Sequence, residues 1–262
     1  KILFSLAKIF FNYKLLTIDK IFRIHMKYTN IYSNTQEQVF DGGLRDYMYL
    51  IYKNMGKALL ISAVIAFIVG HSNFMLSLLF SNPIVAIIVQ LLPLFFVFNF
   101  TKTLISGTVQ DAKNRLFISS ALMGVSLSTI FVMYTGQSIV ETFLTTSITF
   151  GCMSLYGYKT KKDLSSLQSF LFMGLCGLVI ASLINLFIRS GTTSYILSCI
   201  GVIIFTLYTA YDVQNIRKLY NQVSISTDAK EKIAVFGALQ LYLDFINLFL
   251  DLLRILNSRV RE

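Results

Sequence analysis

From Ala58 to Thr101 the chain carries no Asp, Glu, Lys or Arg. Water-soluble domains carry about 25% charged residues, and this chain carries 14% overall against 55% hydrophobic. Disordered proteins, coiled coils and almost all soluble enzymes are excluded on that ground. The uncharged run is too long for one membrane span of about 20 residues. It is broken at His71-Ser72-Asn73 and again at Ser81-Asn82-Pro83. It therefore reads as two spans, roughly 50–70 and 84–101. Further runs without charge, at 116–140, 142–158, 164–188 and 190–211, predict spans 3 (116–135), 4 (138–157), 5 (164–188) and 6 (194–214). Span 7, about 234–256, is apolar except for its acidic residues. Each is long enough to cross ~30 Å of hydrocarbon at about 1.5 Å per residue. The expected fold is an all-α integral membrane protein with seven transmembrane helices. Its membrane domain covers 46–258, between an N-terminal cytoplasmic extension (1–45) and a C-terminal tail (259–262).

The basic residues sort by loop. Nine lie between Lys1 and Lys57, and the following loops hold 0, 3, 0, 3, 1 and 4. Loop 2–3 contributes Lys102, Lys113 and Arg115; loop 4–5 contributes Lys159, Lys161 and Lys162; loop 5–6 has Arg189 alone. The positive-inside rule then orients the N-terminus and the basic loops to the cytoplasm. The net charge of +10 thus reads as orientation rather than as nucleic-acid binding. Seven spans send the C-terminus to the far side, where Arg254, Arg259 and Arg261 fit poorly. Either the tail is short enough to be tolerated or span 7 does not cross fully.

Residues 1–25 are interrupted by charge every few positions, so they do not span, and they lack a signal-peptide cleavage pattern. They read as a basic amphipathic surface segment or as an upstream extension with Met26 near the natural start. Residues 27–45 read as a mobile tail. Cys152, Cys176 and Cys199 fall in apolar stretches without metal-ligand spacing and read as packing residues.

Ionisable groups inside a bilayer are expensive and are functional candidates by default. On span 7, Gln240, Asp244, Asn247 and Asp251 are spaced by 4, 3 and 4 residues. At about 100° per residue they form a stripe roughly 60° wide. Lipid cannot satisfy such a stripe, so it is expected to face protein or water, as on a central helix. It reads either as a functional line or as a hydrogen-bond network that only locks helices together. Asp212, near the cytoplasmic end of span 6, shares a face with Tyr208, Thr209 and Asn215. Asp212 and Asp244 can both reach the cytoplasmic half of the bundle. Repulsion and desolvation oppose ionising two carboxyls in contact, so the pair is expected to share a proton near neutral pH. Deprotonated, it offers hard oxygen ligands to a cation such as Ca²⁺. Glu141 reads as a solvated carboxylate at a helix start or as part of a pore mouth. His71 reads as a solvated loop residue. Small-residue rows at Ser120, Gly124 and Ser128, and at Gly177 and Ala181, suit close helix packing.

The stretches TAYDVQNI (209–216) and ALQLYLDFINLFLDLLRIL (238–256) resemble the Bax inhibitor-1 family of seven-helix membrane proteins. GLRDYMYLIYKNM (43–55), ALMGVSLSTIF (121–131) and SLYGYKTKKDLSSLQSFLFMG (154–174) are similar to segments of its bacterial members. The resemblance covers about 40–258. It implies six helices surrounding a central helix 7, a bacterial inner (plasma) membrane, and a pH-sensitive calcium leak without a resident cofactor. The family's aspartate latch falls on Asp212 and Asp244. Some members place an arginine near the cytoplasmic end of helix 2. Here Lys102 is the nearest cation, and an ammonium lacks the bidentate fork of a guanidinium. Bacterial relatives are also linked to a membrane-bound ATP-dependent protease.

Three readings follow. The first is a proton-regulated Ca²⁺ or general cation leak. The second is a non-transporting regulator of a membrane protease or stress response. The third is an intramembrane aspartyl protease, which would use two carboxyls sharing a proton around a water; against it, the second aspartate lies in LYLD without a preceding Gly-x-Gly. No metalloprotease, phosphate-loop or dinucleotide motif occurs.

Overall fold

A computed structural model describes residues 40–98, 100, 103, 107–222 and 227–258. The expectations for residues 1–39, Lys102, Arg259, Arg261 and the tail 259–262 lie outside the described residues. The helices are α1 (Phe40–Gly70), α2 (Asn73–Phe80), α3 (Pro83–Phe98), α4 (Val109–Leu127), α5 (Ile130–Met133), α6 (Gly136–Lys159), α7 (Gln168–Ile188), α8 (Gly191–Gln222) and α9 (Thr227–Ser258). A 3-10 turn, Leu164–Leu167, leads into α7. No strand occurs among the described residues. Among the described residues six stretches are long and apolar enough to cross a membrane: Gly43–Gly70, Val109–Met133, Gly136–Lys159, Leu164–Ile188, Gly191–Tyr220 and Asp228–Asn257.

Polar caps set several boundaries. Thr108 and Asp111 form a capping box at the start of α4. The Asp111 N–H donates to Thr108 Oγ1 at 3.1 Å and the Thr108 N–H donates to Asp111 Oδ2 at 2.8 Å, so two otherwise orphaned donors are satisfied. Thr135 caps α6 in the simpler way, accepting from the Ser138 N–H at 3.1 Å. α7 ends on Arg189, whose backbone is left-handed at φ 59°.

Three expectations are corrected here. The chain between spans 1 and 2 is not only a loop: it contains α2, capped by Ser72 and wholly unburied. α2 and the start of α3 meet at 101°, because the Asn82 side chain accepts from the Ile84 N–H at 2.9 Å and turns the chain into Pro83. α1 begins at Phe40 rather than near 50, so residues 40–45 are helix and not tail. Gly177 has open space around it, whereas Gly174 meets Ile204 of α8; of the small-residue row expected on span 5, Ala181 packs against the core and Gly177 does not. On α4 the expectation holds at Gly124, where a side chain would collide with the Ser62 backbone of α1 at 2.7 Å.

Contacts between elements fix which ends lie together. At one end the Lys113 ammonium pairs with Glu231 at 3.1 Å, joining the starts of α4 and α9. Lys218 of α8 pairs with Asp163 at 2.5 Å. The Gln214 side chain clamps the loop before α7, accepting from the Leu164 N–H at 2.8 Å and donating to the Lys162 carbonyl at 2.7 Å. Tyr220 stacks on Tyr47 of α1 at 5.1 Å. At the other end Gly70 abuts Phe131, and Asn185 donates to Ser194 Oγ at 2.7 Å. The basic loops are thus gathered at a single end.

Candidate functional site

α9 packs against α8, α1, α6 and α4, while α7 packs mainly on α8 and α3 on α4. Of the apolar stretch of α9, 94% is buried inside the protein. Its polar line is enclosed: Gln240 is 3% exposed, Asp244 0%, Asn247 4% and Asp251 2%. The flanking Leu241, Leu248 and Leu253 are buried as fully, so the stripe marks no special face. A helix surrounded by protein can carry polar residues on any side without meeting lipid.

Asp212 of α8 is also fully buried. Both Asp212 and Asp244 lie close enough to act electrostatically on the Tyr208 hydroxyl, one turn before Asp212. Tyr208 is buried and its ring meets Tyr211 edge-on at 6.3 Å. Asp212 and Tyr208 of α8 and Asp244 of α9 are thus all buried, on two helices that pack on each other.

The supporting residues divide. Thr209 donates to the Phe205 carbonyl at 2.8 Å and Asn247 to the Leu243 carbonyl at 2.8 Å, so both satisfy their own helices. Asn215 is only half-buried. Gln240 Oε1 has no hydrogen-bond partner among the described residues. Asp251 stands apart from the Asp212 neighbourhood: its carboxylate lies against Gly201 of α8. Glu141 is exposed, in the second turn of α6 rather than at its start, and accepts from Gln137 Nε2 at 2.8 Å. His71 is exposed; its Nδ1 donates to the Phe67 carbonyl at 2.9 Å, and its ring lies 5.3 Å from that of Phe131. Cys152 is exposed rather than packed.

Two features escaped the sequence reading. Tyr242, fully enclosed on α9, hydrogen-bonds Ser62 of α1 at 2.6 Å, and Ser62 also donates to the Ser120 carbonyl of α4 at 2.8 Å. Three helices are thus tied by two hydroxyls that carry no charge signal. Arg254, counted above as a poor fit to topology, lies in the field of Asp251, hydrogen-bonds Tyr134 and reaches the Ser194 carbonyl at 3.5 Å. The i, i+3 spacing of Asp251 and Arg254 was the available signal.

The family profile described as "Inhibitor of apoptosis-promoting Bax1" matches residues 44–261. An uncharacterized protein of Borreliella burgdorferi is 44% identical over 209 residues, covering 80% of this chain and 90% of that protein. The inner membrane protein YbhL of Escherichia coli is 42% identical over 220 residues, covering 83% of this chain and 93% of its own length. An uncharacterized membrane protein of Streptococcus pyogenes is 37% identical over 217 residues, covering 82% and 93% respectively.

Proposed function

This chain belongs to the Bax inhibitor-1 family, and we propose that it is a pH-sensitive leak for calcium or other cations in a bacterial inner membrane. The observation that carries this reading is the complete burial of both Asp212 and Asp244 on α8 and α9, two helices that pack on each other. A carboxyl pair closed off from water resists double ionisation, because each charge loses its hydration and repels the other. Sharing one proton, the pair holds α8 and α9 together. Losing it, the two carboxylates repel, favour an open arrangement and offer oxygen ligands to a passing cation. Among the described residues no group of three His, Cys, Asp or Glu side chains assembles. The activity is passive and requires neither a catalytic residue nor a resident cofactor. Lys102 is retained as the candidate counter-cation.

We read the topology as seven crossings, with α1, α4, α6 and α8 packed directly on α9, α7 outside them on α8, and α2 and α3 as one bent return crossing on α4. α1 runs from the basic end, where Tyr47 meets Tyr220, to the far end, where Gly70 meets Phe131. α4 starts again at the basic end, with Lys113 on Glu231. Residues 71–108 therefore have to recross the bundle. Seven crossings with the basic end cytoplasmic follow from the positive-inside rule.

The test is calcium flux into proteoliposomes across pH 5 to 8, for the native chain and for Asp212→Asn and Asp244→Asn. The native flux should rise with pH, and each variant should flatten that response. Flux and pH dependence unchanged in both variants would sink the latch. Absence of native flux, with a membrane protease co-purifying, would favour the regulatory reading.

A further inference from the structure

α1 and α6 both pack on α9, yet they leave a seam between them. At the basic end the seam opens as a cavity of about 590 Å³, lined by Arg45, Met48 and Tyr52 of α1 and by Phe150, Gly151 and Tyr158 of α6, among others. Farther along, an apolar cavity of about 230 Å³ is lined by Leu59 and Ala63 of α1, Val140 and Phe143 of α6, and Phe245 and Phe249 of α9, among others. From Tyr52 to Leu59 the rise along α1 is about 10 Å at 1.5 Å per residue. Both cavities are lined mainly by apolar side chains, and only the one at the basic end carries a charged residue, Arg45, on its wall.

Its mouth is basic. Arg45 is exposed on the wall. The Arg217 guanidinium lies 5.9 Å over the Tyr158 ring and donates to the Tyr158 carbonyl. The Lys53 ammonium lies 5.8 Å over the Tyr49 ring, and Lys159 follows Tyr158 at the end of α6. The exposed carboxylate of Asp46 neighbours Arg45 without lining the cavity. Within the cavity lining the Tyr52 hydroxyl hydrogen-bonds Ser154 Oγ at 2.5 Å, joining α1 to α6.

We propose that this seam binds an anionic phospholipid. Its phosphate sits between Arg45, on the cavity wall, and Arg217, held on the lining residue Tyr158, and one acyl chain runs between α1 and α6 toward the apolar cavity. Basic pockets between membrane helices on the side of the positive loops are suited to anionic headgroups. The proposal does not depend on the aspartate latch.

The experiment is native mass spectrometry of the full chain in detergent with phosphatidylglycerol, phosphatidylcholine or inorganic phosphate, alongside thermal unfolding. Phosphatidylglycerol should be retained in preference to phosphatidylcholine. Arg45→Gln should lower its affinity about fivefold, the expected share of one surface cation. Gly151→Leu should obstruct the groove, since nothing lies within 4 Å of a side chain built there. Both variants should melt like the native chain without lipid. Equal retention of the two lipids would overturn the proposal. So would native phosphatidylglycerol binding in both variants, or binding of inorganic phosphate alone that Arg45→Gln abolishes.

Discussion

Asp251 is held from two directions. Its carboxylate lies against the backbone of Gly201 on α8, where an added side chain would occupy the same space. Arg254, one turn onward, supplies a compensating positive charge. Gly201→Ala should therefore displace the carboxylate, and overpacking of this kind destabilises by about 1–3 kcal/mol. Thermal unfolding in detergent measures it. Asp251→Ala removes the same contact from the other side, so the double change should cost less than the sum of the singles. Strict additivity would mean that the two residues do not constrain each other. The spacing of the α9 polar residues made their burial legible from sequence, because no lipid-facing helix tolerates that line. What each residue touches was not legible. Asp251 meets a glycine on another helix, and the Tyr242–Ser62 bond joins two residues 180 positions apart; neither leaves a periodic trace.

At the scale of elements, the turn before α7 is fastened to α8. Gln214 supplies two bonds to it, to Leu164 and Lys162. Gln214→Ala leaves a buried N–H unmatched, at a cost of about 1–3 kcal/mol. Hydrogen exchange should show faster exchange confined to residues 160–167; uniform destabilisation of the whole chain would contradict a local clamp. Asp163 holds the same turn from outside. The Lys218 ammonium and the Ser165 N–H pull its carboxyl down to about 2 from 3.8. A lowered value means that the contribution is complete above the ordinary carboxylate range and is lost only as pH falls toward 2. Asp163 stays ionised between pH 5 and 8, so Asp163→Asn should leave any pH response of flux in that window unchanged. A flattened response in Asp163→Asn would move the sensor away from Asp212 and Asp244. Helix interiors were legible from runs without charge, but their ends were not. α8 and α9 extend past the expected limits into residues such as Arg217 and Asp228, because pairing and capping decide where a helix stops. α2 was missed for a related reason: a polar break reads as loop, yet Ser72 caps a helix with it.

At the scale of the whole molecule, direction follows from which ends touch. α9 starts beside Lys113 at the basic end and carries Arg254 to the far end, beside Ser194. Its 32 residues rise about 48 Å at 1.5 Å each, more than the ~30 Å of hydrocarbon. The misfit of Arg254 with the positive-inside count then has a physical resolution. The rule weighs charges free to interact with the membrane potential and the surface, and Arg254 lies in the field of Asp251. The placement can be read by labelling single cysteines in a background without Cys152, Cys176 and Cys199. Lys161→Cys and Asp228→Cys should react with a membrane-impermeant reagent from one side. Ser72→Cys and Gln137→Cys should react from the other, together with a tag on the C-terminus. Gly70 against Phe131 and Lys113 against Glu231 put the end of α1 and the start of α4 at opposite ends of the bundle, so Ser72 and Asp228 should never be labelled from the same side. Labelling of both from one side would overturn the return crossing and, with it, the parallel packing of α1 on α4.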